Sequence, residues 1–222
     1  MFTVFLSLFA CSSSTVITQG QASLAGNPAK FIELCATQDP TAIAIKESFA
    51  AEDCESAGKS LSMVQIIDFN QAKIEKVNLQ VLDSLSNIEQ VAAYGKNIDD
   101  ISPLAGLVRL KELYLMGNAI DNIDALSELQ QLKYLRLDGN KIQDIRVLET
   151  LIKLEKVGLD NNLISDFTPL ASLPALQDLN TNFNPVDLDK CPMGKGVTAK
   201  LDKYCSRMKK NAPDMQGAID PK

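Results

Sequence analysis

Apolar residues in the middle of the chain recur with a period of 22 positions, in units that read LxxLxLxxNxIxxIxxLxxLxx. The LxLx segment has the two-residue period of a strand with one buried face, and later apolar positions return the chain to the core. One unit cannot bury its leucines alone, so the units must stack with their strands in a parallel sheet. The first three columns are Leu110, Leu132, Leu154 and Leu176; Leu113, Leu135, Val157 and Leu179; and Leu115, Leu137 and Leu159.

Asparagine occupies one column of the repeat, directly after the strand. The turn at this point leaves backbone donors and acceptors facing inward, and an amide side chain can pair with both kinds. Two weaker units come first, and they have Lys96 and Ala72 in this column, which predicts a looser start. We therefore predict six turns over residues 63–188, the last one partial, with an asparagine ladder of Asn118, Asn140, Asn162 and Asn184.

The return path of each unit is too short for a full α-helix. Pro103 and Pro169 suit short 3-10 turns, and Asp100, Asp144 and Asp166 stand where a carboxylate can cap them. The same aspartates could be arranged as a calcium ladder, but capping is the ordinary use of this spacing. We predict an irregular or 3-10 outer side.

This pattern resembles the leucine-rich repeat in its short 22-residue class, which bacterial internalins and eukaryotic phosphatase-regulatory subunits carry. The resemblance implies an α/β solenoid, a curved stack with a parallel β-sheet on its concave face and short segments on its convex side. It also implies a binding function, with a host surface protein or another envelope protein as the internalin-like partner.

Composition removes several kinds of chemistry. The 222 residues include no histidine, which excludes Ser-His-Asp and Cys-His catalytic pairs and histidine-ligated metals. A formal charge of −6 argues against nucleic acid, because phosphate binding requires a concentrated basic surface. We expect no enzyme activity, no cofactor and no metal.

The N-terminus predicts export. Residues 1–10 are almost all apolar and end at a small residue, as in a signal peptide. The run Leu8-Phe9-Ala10-Cys11 resembles a bacterial lipobox, which implies a lipid on Cys11, a flexible tether over residues 11–27 and an outer-membrane lipoprotein. Phe9 is bulkier than usual in that motif, and no Lys or Arg precedes the apolar run. The alternative is a frayed apolar N-terminus with an incidental cysteine.

Both ends of a repeat stack need a cover, and four cysteines lie in the segments that can supply it. Residues 28–62 predict a helical N-terminal cap, with a helix starting at Asp39-Pro40, and residues 189–206 predict a C-terminal cap. Six strands separate the two ends by about 24 Å, whereas a disulfide needs Cα atoms within about 7 Å. We therefore predict the pairs Cys35–Cys54 and Cys191–Cys205, and a disordered tail over 207–222.

The outward positions of the strands and the turns after them define a candidate binding surface. Three of the four tyrosines fall on it, together with methionine and arginine, which are residue types enriched at protein interfaces. Strands favour tyrosine in any case, so the alternative is a plain sheet surface. The predicted binding residues are Tyr94, Glu112, Tyr114, Met116, Tyr134, Arg136, Asp138 and Asp160.

Three functional hypotheses follow. The first is a non-catalytic, monomeric protein-binding scaffold of the bacterial cell envelope, held to the membrane only by its lipid and facing a partner with a basic surface. The second is a cytosolic regulatory subunit of an enzyme such as a phosphatase, against which the paired cysteines and the apolar leader weigh. The third is glycan binding, with tyrosines as stacking platforms.

Overall fold

The computed structural model describes residues 16–19, 27–83, 85–171, 173–193 and 199–211. The predicted signal peptide (1–10), Cys11 and residues 212–222 of the predicted tail lie outside the described residues. Four helices and seven strands are present among the described residues. The helices are α1 (Ala29–Ala36), α2 (Pro40–Ser48), α3 (Cys54–Leu61) and α4 (Ala199–Asn211). The strands are β1 (Val16–Gln19), β2 (Val64–Asp68), β3 (Gln90–Ala92), β4 (Glu112–Tyr114), β5 (Tyr134–Arg136), β6 (Lys156–Gly158) and β7 (Asp178–Asn180).

Strands β2 to β7 form one parallel sheet in chain order, which confirms the predicted stack of six turns. Each step of the sheet joins residues 22 apart, apart from the first step of 24, so the repeat period sets the register directly. The inward columns are buried, as at Leu113, Leu135 and Leu137. One continuous apolar core therefore runs through all six turns.

The asparagine ladder forms as predicted. In the middle of the stack, the Asn140 Nδ2 donates to the carbonyls of Leu115 (3.0 Å) and Leu137 (2.8 Å), and its Oδ1 accepts from the Ile120 N–H (3.1 Å). Each asparagine thus joins its own turn to the one before it. Asn118, Asn162 and Asn184 make the equivalent bonds.

Lys96 takes the place of asparagine by a different route. Its side chain is buried, and its Nζ donates to the carbonyls of Ala72 (2.7 Å) and Ile74 (3.4 Å) of the preceding turn. The long stem of lysine carries the donor across the gap between two turns, so the first inward carbonyls have a partner despite the substitution.

The outer side consists of six short 3-10 helices, as predicted. The side-chain oxygens of Asp100, Asp144 and Asp166 each accept from the backbone N–H two residues later, at 2.8–2.9 Å. Asn78 and Asn122 do the same in their own turns. The helices span Leu79–Leu82, Ser102–Gly106, Asp124–Glu128, Arg146–Thr150, Thr168–Leu170 and Leu188–Lys190.

The N-terminal cap is a group of three helices. Helix α2 begins after Asp39, whose side chain accepts from the backbone N–H groups of Thr41 (2.9 Å) and Ala42 (3.1 Å). The second oxygen of Asp39 accepts from the Asn78 side chain at 2.8 Å, which docks the cap on the first turn. The Cys35–Cys54 disulfide joins α1 to the start of α3, as predicted.

Two elements differ from the sequence-based expectation. Strand β1 lies inside the predicted flexible tether and pairs antiparallel with β2, opposite to the direction of every other pair in the sheet. Its position covers the hydrogen-bonding edge that β2 would otherwise expose. This edge exists because β2 is the first parallel strand, so the repeat pattern does not predict what covers it. Helix α4 continues to Asn211, so residues 207–211 of the predicted tail are helical.

The C-terminal cap rests on the last turn through α4. Cys191 and Cys205 form the predicted second disulfide, with both residues buried. The ring of Tyr204 packs edge-on against Phe167 at 5.8 Å between centroids, and its hydroxyl donates to the Thr181 carbonyl at 2.9 Å. Thr181 is 1% exposed, and its hydroxyl has no hydrogen-bond partner among the described residues. Thr181 stands at the repeat position that leucine occupies in preceding turns, and it lies at the boundary between the core and the cap.

Candidate functional site

We use the term concave face for the outward residues of β2 to β7 and the second residue after each strand. Pairing places Glu112, Tyr134, Lys156 and Asp178 in one row across the sheet. Tyr114, Arg136, Gly158 and Asn180 form the next row. The intervening residues of these strands point into the core, so both rows lie on the outer surface of the same sheet.

The turn residues continue the face by one more row. The N–H groups of Gly95, Gly117 and Gly139 donate to the carbonyls of Met116, Asp138 and Asp160 in the next turn, at 2.7–2.9 Å. These bonds keep neighbouring turns at the spacing of the strands. Tyr94, Met116, Asp138 and Asp160 therefore stand on successive turns, and all eight predicted binding residues lie on one continuous surface.

Tyr114 is held by a carboxylate on its own strand. Its hydroxyl donates to Glu112 Oε2 at 2.8 Å. Burial, followed by the hydrogen bond and the negative charge of Glu112, raises the pKa of Tyr114 to about 12. The hydroxyl therefore stays protonated at neutral pH and the ring has a fixed orientation, which lowers the entropy cost of burying it against a partner.

Tyr134 is held from two sides. Its hydroxyl donates to Glu155 Oε2 at 3.3 Å, and the Lys156 ammonium lies 5.3 Å from the centre of its ring. Glu155 is oriented in turn by Lys133 at 2.9 Å, and this bond lowers the pKa of Glu155 and raises that of Lys133. Tyr134 thus presents a positioned aromatic ring beside a cation.

Arg136 lies across the neighbouring strand because residue 158 is glycine. A Cβ atom at 158 would come within 2.6 Å of Arg136 Cδ and of the Asp138 carboxylate. The missing side chain lets the Arg136 guanidinium reach Asp138, with Nε to Oδ2 at 2.7 Å. Gly158 is therefore part of the site, although its contribution is space rather than contact.

Asp138 and Asp160 also have a structural role that the sequence prediction missed. Asp138 Oδ1 accepts from the backbone N–H of Asp160 at 3.1 Å, and Asp160 Oδ1 accepts from that of Asn182 at 2.6 Å. Asn70 makes the same bond to the Tyr94 N–H at 2.7 Å. This second ladder runs parallel to the asparagine ladder. Its signal was the recurrence of Asn or Asp at positions 70, 138, 160 and 182.

A further group of charged residues borders the face at the start of the strands. Glu89 pairs with Lys111 at 2.7 Å and with Arg109 at 3.4 Å, and Glu89 and Lys111 stand one position before the outward strand row. A shallow depression nearby is lined by Ile66, Gln90 and Glu112 of the face together with Gln65, Glu89 and Lys111. The inward–outward alternation of strand residues does not identify these border residues, because they lie in the loop before each strand.

The concave face is acidic. Its carboxylates are Asp68, Glu112, Asp138, Asp160 and Asp178, against Arg136 and Lys156, which gives −5 + 2 = −3. Only Asp138 of these five forms an ion pair within the described part of the chain. The other four carboxylates leave a negative potential that favours a partner with basic groups.

Within the described residues, no group of three or more His, Cys, Asp or Glu residues lies close enough together to hold a metal ion. None of the described helices has both the length and the apolar composition that crossing a membrane requires.

Comparison with known proteins agrees with the repeat pattern. Residues 130–172 match the leucine-rich repeat family in two copies. None of the curated proteins matches the chain in sequence. Among solved structures, an internalin of Listeria monocytogenes (inlF) is similar at 25% identity and a TM-score of 0.54, over 76% of this chain. A leucine-rich-repeat protein of Leptospira interrogans is similar at 23% identity and a TM-score of 0.53, over 59% of this chain and 34% of its own length.

The turns described above are thus leucine-rich repeats, and the fold is the solenoid of internalin-like proteins. The chain spans 48% of the length of the Listeria internalin. A leucine-rich-repeat scaffold of this kind suggests protein binding.

Proposed function

We propose that this chain is a non-catalytic protein-binding scaffold of the bacterial cell envelope, and that its concave face holds the partner. One observation carries the proposal: Tyr114 and Tyr134 stand on adjacent strands, each positioned by a hydrogen bond to a carboxylate. Positioned aromatic rings next to an arginine are the usual composition of an interface centre. Because the surrounding face has a net negative charge, we expect the partner's contact surface to be basic.

The envelope part of the proposal rests on the cysteines. Two disulfides close the two caps, and disulfides persist in oxidising compartments such as the bacterial periplasm and the cell surface. The similar Listeria and Leptospira proteins are bacterial. A cytosolic regulatory subunit would keep these four thiols reduced, and its caps would lack both covalent links.

Replacing Tyr114 and Tyr134 together by alanine should reduce partner capture at least tenfold, because two positioned aromatic anchors are lost. The immobilised wild-type chain and the Y114A/Y134A variant are compared for capture of envelope proteins from the producing bacterium. The captured species are identified by mass spectrometry. Both tyrosines are only partly buried, so the melting temperature should change little.

The matched control is the V108S/I152S variant, which removes two exposed apolar side chains outside the concave face. It should capture as much partner as the wild type. Wild-type capture should also weaken as salt rises, because added ions screen an acidic face from a basic partner. Equal capture by the tyrosine variant, or equal loss in both variants, contradicts the assignment of the concave face.

Replacing Cys11 by serine tests the proposed anchor. A lipid attached to the Cys11 thiol requires that thiol, so metabolic incorporation of a palmitate analogue should be present in the wild type and absent in Cys11→Ser. The variant should also move from the membrane fraction to the soluble fraction. Labelling that survives the substitution contradicts the proposed lipid anchor, but it does not test the proposed binding face.

A further inference from the structure

One column of the repeat requires a left-handed backbone, and its last member is a phenylalanine. The residue before Lys96 and before each ladder asparagine has a positive φ, and it is glycine in the second, third and fourth turns. Gly95, Gly117 and Gly139 have φ of +58°, +66° and +69°, Asn161 has +54°, and Phe183 has +58°. Glycine and asparagine tolerate this region, whereas a bulky side chain is strained there by about 1–2 kcal/mol.

Phe183 obtains no compensation from burial. Its side chain is 80% exposed, the largest exposure among the large apolar residues of the described chain. The backbone is thus strained in order to present an aromatic ring to solvent. Strain of this kind persists where the residue has a function that a relaxed residue could not perform. Leu163, on the neighbouring turn, is also exposed.

Phe183 directly follows the last member of a row along the edge of the concave face, which we call the rim row: Tyr94, Met116, Asp138, Asp160 and Asn182. Its members stand on successive turns, so at about 4.8 Å per strand the row is about 19 Å long. Its order is apolar, apolar, acidic, acidic and polar, and the ring of Phe183 comes directly after the polar end. Tyr94 begins the row and Phe183 stands one residue beyond its last member, and these are the two most exposed rings of the described chain, at 61% and 80%.

We propose that Phe183 is an anchor that the protein partner buries, and that the partner's contacting segment is extended, with an apolar residue at each end and basic residues between. The inference rests on the proposed function and specifies its partner. Alternate side chains of an extended chain are about 6.7 Å apart, so three steps span about 20 Å. Apolar residues at i and i+6 then meet Tyr94 and Phe183, and Lys or Arg at i+2 and i+4 face Asp138 and Asp160.

The probe is a peptide selected against the protein. Random twelve-residue peptides displayed on phage are panned on the full wild-type chain, and the enriched sequence is synthesised and titrated by calorimetry. We expect the pattern apolar-x-basic-x-basic-x-apolar. Affinity for the Phe183→Gly variant should fall at least tenfold, while its melting temperature should rise by about 2–4 °C because the strain is removed.

Those opposite signs separate an anchor from a structural residue, since loss of a structural residue lowers both quantities. The matched control is Asn161→Gly, in the same column and backbone conformation. It should bind the peptide with wild-type affinity and gain little stability, because asparagine already tolerates this region.

Three results overturn the proposal: no enriched peptide, a selected peptide that binds Phe183→Gly as tightly as the wild type, or a selected pattern that is helical or acidic. Failure of the proposed function is distinguishable from these results. A peptide whose affinity falls in Y114A/Y134A but not in Phe183→Gly leaves the concave face as the binding surface and removes only the anchor.

Discussion

Replacing Asn162 by alanine should lower the free energy of unfolding by about 3–5 kcal/mol, because it leaves three buried backbone groups without partners. The Nδ2 of Asn162 donates to the carbonyls of Leu137 (2.9 Å) and Leu159 (3.1 Å), and its Oδ1 accepts from the Ile142 N–H (3.1 Å). The residue is 3% exposed, so bulk water cannot take over these bonds. Urea unfolding measures the loss.

The last turn supplies a matched control for that measurement. Asn184 makes the same three kinds of bond, to the carbonyls of Leu159 and Thr181 and from the Ile164 N–H, at 2.9–3.1 Å. It is only partly buried, so water can replace the amide, and Asn184→Ala should cost about 1 kcal/mol. Equal losses at the two positions would show that hydrogen-bond geometry, rather than burial, determines the energy of the ladder.

The sequence predicts those parts of the fold in which one physical requirement repeats. The column containing Leu113, Leu135 and Val157 sets the register, because a slip of one residue would turn every leucine toward solvent. The asparagine column predicts where inward backbone groups need a partner, and the aspartates of the return path predict where 3-10 helices begin. The concave face follows from the same alternation, so its residues could be named before any coordinates.

Features that occur once could not be predicted in this way. Strand β1 covers the edge of the sheet, and its segment lies outside the repeats, so the repeat pattern does not predict it. The hydrogen bond from Lys96 Nζ to the Ala72 carbonyl depends on the conformation of one long side chain, which no repeating sequence position indicates. Phe183 is an intermediate case. The series glycine, glycine, glycine, asparagine, phenylalanine indicates a left-handed position, but the exposure of the ring depends on how the C-terminal cap sits.

Removing both disulfides should lower the free energy of unfolding by about 6 kcal/mol. The bonds close loops with sequence separations of 19 and 14, and a cross-link over a loop of this size stabilises by about 3 kcal/mol, mainly by restricting the unfolded chain. The variants C35S/C54S and C191S/C205S, and the variant with all four substitutions, are compared with the wild type by urea unfolding.

The two losses should add, because the caps lie at opposite ends of six strands, about 24 Å apart. Hydrogen exchange should locate each loss. In C191S/C205S, faster exchange should be confined to α4 and the turn of β7. Once residue 205 is unlinked, α4 is held there by the buried Leu201 and by the contacts of Tyr204. In a repeat stack each turn is stabilised by its neighbours, so an uncovered end loosens inward one turn at a time. Faster exchange at β2 in this variant, or a combined loss well below the sum, would mean that the six turns unfold as one unit.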